Sequence, residues 1–256
     1  MILAVDIGNS NLVIGGIQGD DILFEARLRT DATKTSDEYC IDLKMILEVY
    51  GVKQELIEGA IIASVVPQVL NSVKTALKKL AVKQILVVGP GLKTGLNIKI
   101  ENPSQTGADL VVGSVAALRE HKPPLIVVDM GTATTMMVLD ETGAFIGGSI
   151  SPGVKISMDA LTDRTALLPG LQLDTPKRAI GRNTIHCMRS GIMMGAACML
   201  DGMVERMEEE LGRKATVIVT GGIAKFVVPM CKTPLVYDKD LLLKGLAILY
   251  RDNAKS

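Results

Sequence analysis

The chain contains no tryptophan, and its only aromatic side chains are three phenylalanines and four tyrosines. A base-stacking platform for single-stranded nucleic acid needs several such rings, so their scarcity argues against that partner. The core must be aliphatic, with 13 methionines as adaptable filler. An excess of one charge is also absent. The 28 Lys and Arg balance 28 Asp and Glu, which leaves no net field to attract nucleic acid or an anionic membrane. Cys40, Cys187, Cys198 and Cys231 form no CxxC pair and no Cys/His cluster; they signal neither zinc nor redox chemistry and read as reduced structural thiols. No apolar run reaches the roughly 18 residues of a membrane span. Met1 to Asp6 lacks the basic segment of a secretory leader, so a cytoplasmic protein is expected. Two phosphate-loop signatures are missing as well: G-x-x-x-x-G-K-[ST], and G-x-G-x-x-G after a strand. Their absence argues against a Walker-type NTPase and a Rossmann dehydrogenase.

What remains is the composition of a well-buried protein, 48% hydrophobic and 22% charged over 256 residues. At about 150 residues per domain this is one large domain or two small ones. A repeat favours two. Leu3 to Asn11 is echoed by Val127 to Thr135, with Asp6 opposite Asp129 and Gly8 opposite Gly131. Each copy is an apolar strand ending in Asp, a Gly-bearing turn, and then a hairpin whose turn falls at Gln18–Asp21 or Asp140–Gly143. Elsewhere helices and strands alternate. Helices are predicted over 36–50 with Ser36 as cap, 68–80, 109–120, 152–161, 184–211 and 240–252, and further strands over 61–66, 85–88 and 215–219. The expected fold is α/β: two similar halves, 1–120 and 121–256, with a ligand cleft between them.

The Gly-rich turns suit phosphate, because glycine lets backbone donors approach closely while Ser, Thr and Asn add side-chain donors. Asp6-x-Gly8-Asn9-Ser10 and Asp129-x-Gly131-Thr132-Ala133-Thr134 each add a carboxylate suited to a cation, and Thr220-Gly221-Gly222 is a third Gly-rich turn, suited to close approach of a nucleotide's base or ribose. Ordinary hairpin turns are the competing reading. Asp109 has two readings on spacing alone: a helix N-cap, or a carboxylate placed for chemistry. The Met188–Met207 cluster reads as a helical core or a subunit face rather than a binding surface.

This order of motifs resembles the acetate and sugar kinase, Hsp70 and actin superfamily. At closer range the chain is similar to the type III pantothenate kinases over essentially its whole length. The match is carried by the two turns above, Lys34-Thr35-x-Asp37-Glu38, Asn102-Pro103-x-x-x-Gly107-Ala108-Asp109, Gly147-Gly148-x-Ile150-x-Pro152-Gly153, Leu168-Pro169, Ile180-Gly181-x-x-Thr184, Thr220-Gly221-Gly222 and Leu243-x-Gly245-Leu246. The resemblance implies two ribonuclease H-like, actin-like ATPase halves. It implies ATP-dependent phosphorylation of pantothenate to 4'-phosphopantothenate, the first step of coenzyme A biosynthesis, by a homodimer. Asp6, Ile7, Gly8, Asn9, Ser10, Asn11, Leu12, Val13 and Thr132 would then bind ATP, with Asp6 a candidate for Mg2+ through water. Asp129 would hold a monovalent cation, K+ or NH4+. Ile100, Gly107, Ala108, Asp109, Leu110 and Thr184 would form the pantothenate site, with Asp109 as proton acceptor.

Two substrate-side positions depart from the family pattern, and Met136 and Met137 stand where many members have an aromatic residue. Leu110 stands where an Arg is expected to meet the pantothenate carboxylate, and Ile100 where Tyr is usual. A charge-assisted contact of that kind is worth roughly 1.5–3 kcal/mol. Three readings follow: a working pantothenate kinase in which Lys155, Arg164 or Arg182 compensates, a kinase of the same fold acting on another small acceptor, or a catalytically weakened nucleotide-binding regulator.

Overall fold

A computed structural model describes residues 1–254. In chain order the strands are β1 (Ile2–Ile7), β2 (Asn11–Gln18), β3 (Asp21–Arg29), β4 (Gly59–Ser64), β5 (Gln84–Val87), β6 (Leu125–Met130), β7 (Ala133–Leu139), β8 (Phe145–Pro152), β9 (Thr216–Thr220) and β10 (Val236–Tyr237). The helices are α1 (Ser36–Val49), α2 (Pro67–Lys79), α3 (Ala108–Glu120), α4 (Val154–Asp163), α5 (Thr184–Arg189), α6 (Gly195–Leu211), α7 (Ala224–Val227) and α8 (Leu241–Ala254).

Two compact units form. The first contains Met1–Leu96, Asn102–Arg119 and the chain from Asp240 onward; the second contains Asn97–Glu101 and Glu120–Lys239. The sheet of the first runs β3-β2-β1-β4-β5, and that of the second runs β8-β7-β6-β9-β10. In each, the opening three strands are an antiparallel meander, and the remaining two lie parallel to the first strand of that meander. The repeated motif is thus a repeated topology.

Strand alternation decides which face carries chemistry. In β1, Leu3, Val5 and Ile7 enter a core shared with Tyr39, Leu43 and Leu47 of α1 and Val69, Val73 and Leu77 of α2. Ile2, Ala4 and Asp6 take the other face. There α8 packs on β1 and β4, and a Cβ on Gly15 would stand 2.9 Å from Leu243. In β6 the parity is the same: Ile126, Val128 and Met130 share a core with Met193, Ala197, Leu200 and Val204, which leaves Asp129 on the opposite face. Met193, Met203 and Met207 line that core, so the methionine cluster is largely core filler.

Three local expectations change. The cap of α1 is Thr35, not Ser36, because Thr35 closes a reciprocal capping box with Glu38. The predicted helix 184–211 is interrupted by one π-helical turn, Ser190–Met194, which contains Gly191, is followed by Gly195, and is tied outward by the Ser190 hydroxyl donating to the Ala179 carbonyl at 2.5 Å. The four cysteines are unbridged, but Cys187 and Cys198 are exposed, so burial does not describe all four. Burial, then the nearby Asp201 and Cys198, push the Cys231 thiol up to about 12. Among the described residues no helix is long and apolar enough to cross a membrane.

Candidate active site

The first turn connects β1 to β2. Register pairs Ile7 with Leu12, leaving Gly8, Asn9, Ser10 and Asn11 as the connection. The Gly8 N–H donates to the Asn11 carbonyl at 3.0 Å, and a Cβ on Gly8 would stand 3.2 Å from that same oxygen. Asn9, Ser10 and Asn11 are exposed, whereas Ile7 and Leu12 are buried in the core. Only the backbone of those two anchors can face a ligand. Val13 is half-buried, and Asp6 lies on the face of β1 opposite Leu3, Val5 and Ile7.

The second turn is one residue shorter, since Met130 pairs with Thr134 across Gly131, Thr132 and Ala133. Two glycines from elsewhere in the unit close on it. A Cβ on Gly153 would collide with the carbonyl oxygen of Thr132, and one on Gly221 would sit 2.6 Å from both the Asp129 carboxylate and the Met130 backbone. Gly221 also has φ +99°, a conformation that favours glycine. The third Gly-rich turn is therefore pinned against the strand end that carries Asp129. Register sets Asp129 directly beside Thr135 of β7 and Thr220 of β9, so three oxygen-bearing side chains lie in a row across one sheet face. Thr220 is buried, and the Thr135 hydroxyl oxygen is buried without a hydrogen-bond partner among the described residues.

The Gly107-Ala108-Asp109 segment opens α3. The Gly107 carbonyl accepts the Val111 N–H at 3.2 Å and so occupies the cap position, which puts Asp109 inside the first turn. One Asp109 carboxylate oxygen accepts the Leu110 N–H at 2.8 Å. Burial outweighs this and a second backbone hydrogen bond, raising the carboxyl above its usual range. A Cβ at Gly107 would collide with that carboxylate. Ala108 and Leu110 are half-buried beside it, and the buried Thr106 hydroxyl just before the motif has no partner among the described residues.

In the second unit, residues 97–99 extend the β8 edge through Phe145 N–H to Asn97 carbonyl and Lys99 N–H to Phe145 carbonyl bonds, both 2.8 Å, with half-buried Ile100 next in the chain. Thr184 is the exposed first residue of α5, which Asn183 caps by accepting the His186 N–H at 2.8 Å. Of the three cations proposed from sequence to compensate for Leu110, Lys155 pairs with Asp159 at 2.9 Å, Arg164 ends α4, and Arg182 stands exposed two residues before Thr184. The first unit thus carries the Asp6 turn and the Asp109 loop. The second carries Asp129, Thr132, Ile100 and Thr184. Sequence reasoning missed Thr30, whose hydroxyl reaches the Gly8 carbonyl at 2.7 Å from the end of β3; a bond across 22 residues leaves no local pattern to read.

Comparison with known proteins places the chain in a family and its fold among known ones. The type III pantothenate kinase family profile matches residues 2–206. A type III pantothenate kinase from an Exiguobacterium species is 44% identical over 255 residues, covering 100% of both chains, and one from Brevibacillus brevis is 42% identical over 253 residues, covering 99% of both. Among solved structures, component A of (R)-2-hydroxyglutaryl-CoA dehydratase from Acidaminococcus fermentans aligns with a TM-score of 0.60 at 14% identity, covering 100% of this chain and 99% of that one. Ethanolamine utilization protein EutJ from Carboxydothermus hydrogenoformans aligns at 0.51 and 15% identity, covering 96% and 89%. The fold is that of two ribonuclease H-like, actin-like ATPase halves, and the chain belongs to the type III pantothenate kinase family.

Proposed function

We propose that this chain transfers the γ-phosphoryl group of ATP to the hydroxyl of pantothenate, giving 4'-phosphopantothenate at the entry to coenzyme A biosynthesis. The single observation that carries the chemistry is Asp109, a carboxylate whose proton affinity is raised by burial and whose place is kept open by Gly107. In the reaction the pantothenate hydroxyl oxygen bonds to the γ-phosphorus, the bond to the bridging oxygen breaks, ADP leaves, and Asp109 takes the hydroxyl proton. Catalysis of this kind is mostly positioning and charge neutralisation.

The Asp6–Val13 turn and Thr132 supply donors to the phosphates. Mg2+ favours phosphate oxygens and water, so Asp6 would contribute through a water molecule. A monovalent cation fits the row Thr135–Asp129–Thr220, where the Thr135 hydroxyl, without a partner among the described residues, offers an oxygen beside a carboxylate. Asp129 and Thr135 would hold such an ion, with Gly221 keeping the carboxylate oriented, and it would supply positive charge to offset that of the substrate. Ile100, Leu110 and Thr184 border pantothenate, with Arg182 the nearest of the three cations to Thr184 in sequence. A homodimer in the cytoplasm is part of this reading, supported by membership of the family.

The test is steady-state turnover of ATP with pantothenate, Mg2+ and K+. Asp109→Asn is expected to lower kcat by about 10²–10⁴-fold, the usual worth of a positioned base; unchanged turnover would remove the base assignment. Equal rates with and without any monovalent cation would remove the Asp129 assignment.

A further inference from the structure

The motif Lys34-Thr35-x-Asp37-Glu38 has no role in the chemistry above, yet the structure ties it to the first phosphate turn. The Thr35 hydroxyl accepts the Glu38 N–H at 3.3 Å, and the Glu38 carboxylate accepts the Thr35 N–H at 2.8 Å. Lys34 pairs with Asp42 at 2.7 Å. These bonds fix the first turn of α1, and the next residue is Tyr39, buried to 1% exposure. Its hydroxyl accepts the Asp31 N–H at 3.1 Å and donates to the Asp31 carbonyl at 2.8 Å, so one side chain holds both backbone polar groups of Asp31. The Asp31 carboxylate accepts the Thr33 N–H at 2.8 Å and the Thr33 hydroxyl at 2.6 Å.

The residue before Asp31 is Thr30. Its N–H donates to the Ser10 carbonyl at 3.1 Å, and its hydroxyl donates to the Gly8 carbonyl at 2.7 Å. The Gly8–Asn9 peptide is planar and trans, so a carbonyl held on Thr30 aims the Asn9 N–H the opposite way. That amide belongs to the exposed part of the turn, where a phosphate oxygen would accept it.

We propose that Thr30 is a positioning residue for nucleotide binding: its hydroxyl orients the Gly8–Asn9 peptide, and Tyr39 holds Thr30 in place through Asp31. The α1 capping motif thereby serves the phosphate turn without touching it. This rests on the reading that the Asp6–Val13 turn binds ATP.

Thr30→Val keeps the shape and the bond to Ser10 while removing the hydroxyl donor. Loss of one such bond is expected to raise KM for ATP, and Kd for ADP by calorimetry, about 3- to 12-fold. KM for pantothenate should stay unchanged, Thr30→Ser should restore the ATP value, and Tyr39→Phe should shift it in the same direction by less. A lower melting temperature with unchanged ATP KM, or equal rises in both KM values, would overturn the proposal. Gly8→Ala separates the inference from its foundation. If Gly8→Ala raises ATP KM and Thr30→Val does not, the positioning role fails alone; if neither does, the turn is not the ATP site and both readings fall. Should Thr30→Val not fold, Tyr39→Phe decides the same question, and an unchanged ATP KM there overturns the relay.

Discussion

At the residue scale, the identity of Asp109 was legible in the motif Gly107-Ala108-Asp109, but its environment was not. Spacing left a helix cap and a catalytic carboxylate as alternatives; the structure gives the cap to Gly107 and half-buries Asp109. A carboxyl whose pKa in the fold is raised favours the folded state only below its unfolded value near 3.8, and loses that contribution as pH rises through the folded value. At neutral pH its charge therefore works against folding. Asp109→Asn should melt at a higher temperature than wild type at pH 7, with the gap closing in acid; a lower melting point at pH 7 would contradict the burial effect. Wild-type kcat/KM should fall in acid through an inflection above 3.8, where Asp109 can no longer accept a proton. Leu110 offers no donor beside it. Leu110→Arg is expected to lower KM for pantothenate by about tenfold, the worth of a charge-assisted contact; an unchanged KM would place the substrate carboxylate elsewhere.

At the scale of elements, local chemistry reads well where it is local. The Asp140–Gly143 turn is legible because Asp and Gly occupy positions that need them, and Gly143 has φ +77°. The structure adds what holds it. The Asp140 carboxylate accepts Thr142 N–H, Thr142 hydroxyl and Ala144 N–H bonds of 2.9, 2.5 and 2.9 Å, and pairs with Lys99 at 3.2 Å. Its carboxyl is lowered to about 2, with the Thr142 hydroxyl the largest cause. A lowered folded pKa contributes stability above the unfolded value and loses it as pH falls through the folded one. Asp140→Ala should therefore lower the melting temperature by several degrees at pH 7, and the difference should shrink between about pH 4 and 2. A difference that persists unchanged across that window would refute this account. The cap at Thr35 and the π turn at 190–194 were less legible. The first competes with an adjacent Ser of the same chemistry, and the second depends on a tertiary bond from Ser190 to Ala179.

At the scale of the molecule, the repeated Asp-x-Gly motif was the most informative feature, because a strand, a turn and a hairpin repeat only if the sheet around them does. Two sheets of matching strand order follow from it. What held the second turn was hidden. Gly153 and Gly221 converge on it from segments 22 and 90 residues beyond Gly131. Gly221→Ala should cost about 1–3 kcal/mol from its positive φ alone, and should raise the potassium concentration needed for half-maximal rate by displacing Asp129. A normal potassium response in a folded Gly221→Ala protein would separate Asp129 from the cation. The helix α8 follows the second unit in the chain yet completes the first, lying on β1 and β4.

By itself the sequence determined the fold class, the duplication, the turns that bear glycine and aspartate, and the family, because these depend on residue types at fixed short spacings. Only the tertiary structure decided the rest: the raised proton affinity of Asp109, the row Thr135–Asp129–Thr220, the glycines that crowd the second turn, and the reach of Thr30 to Gly8. Each of those is set by groups distant in the chain, and burial and cross-strand register arise only when the sheets and helices have packed.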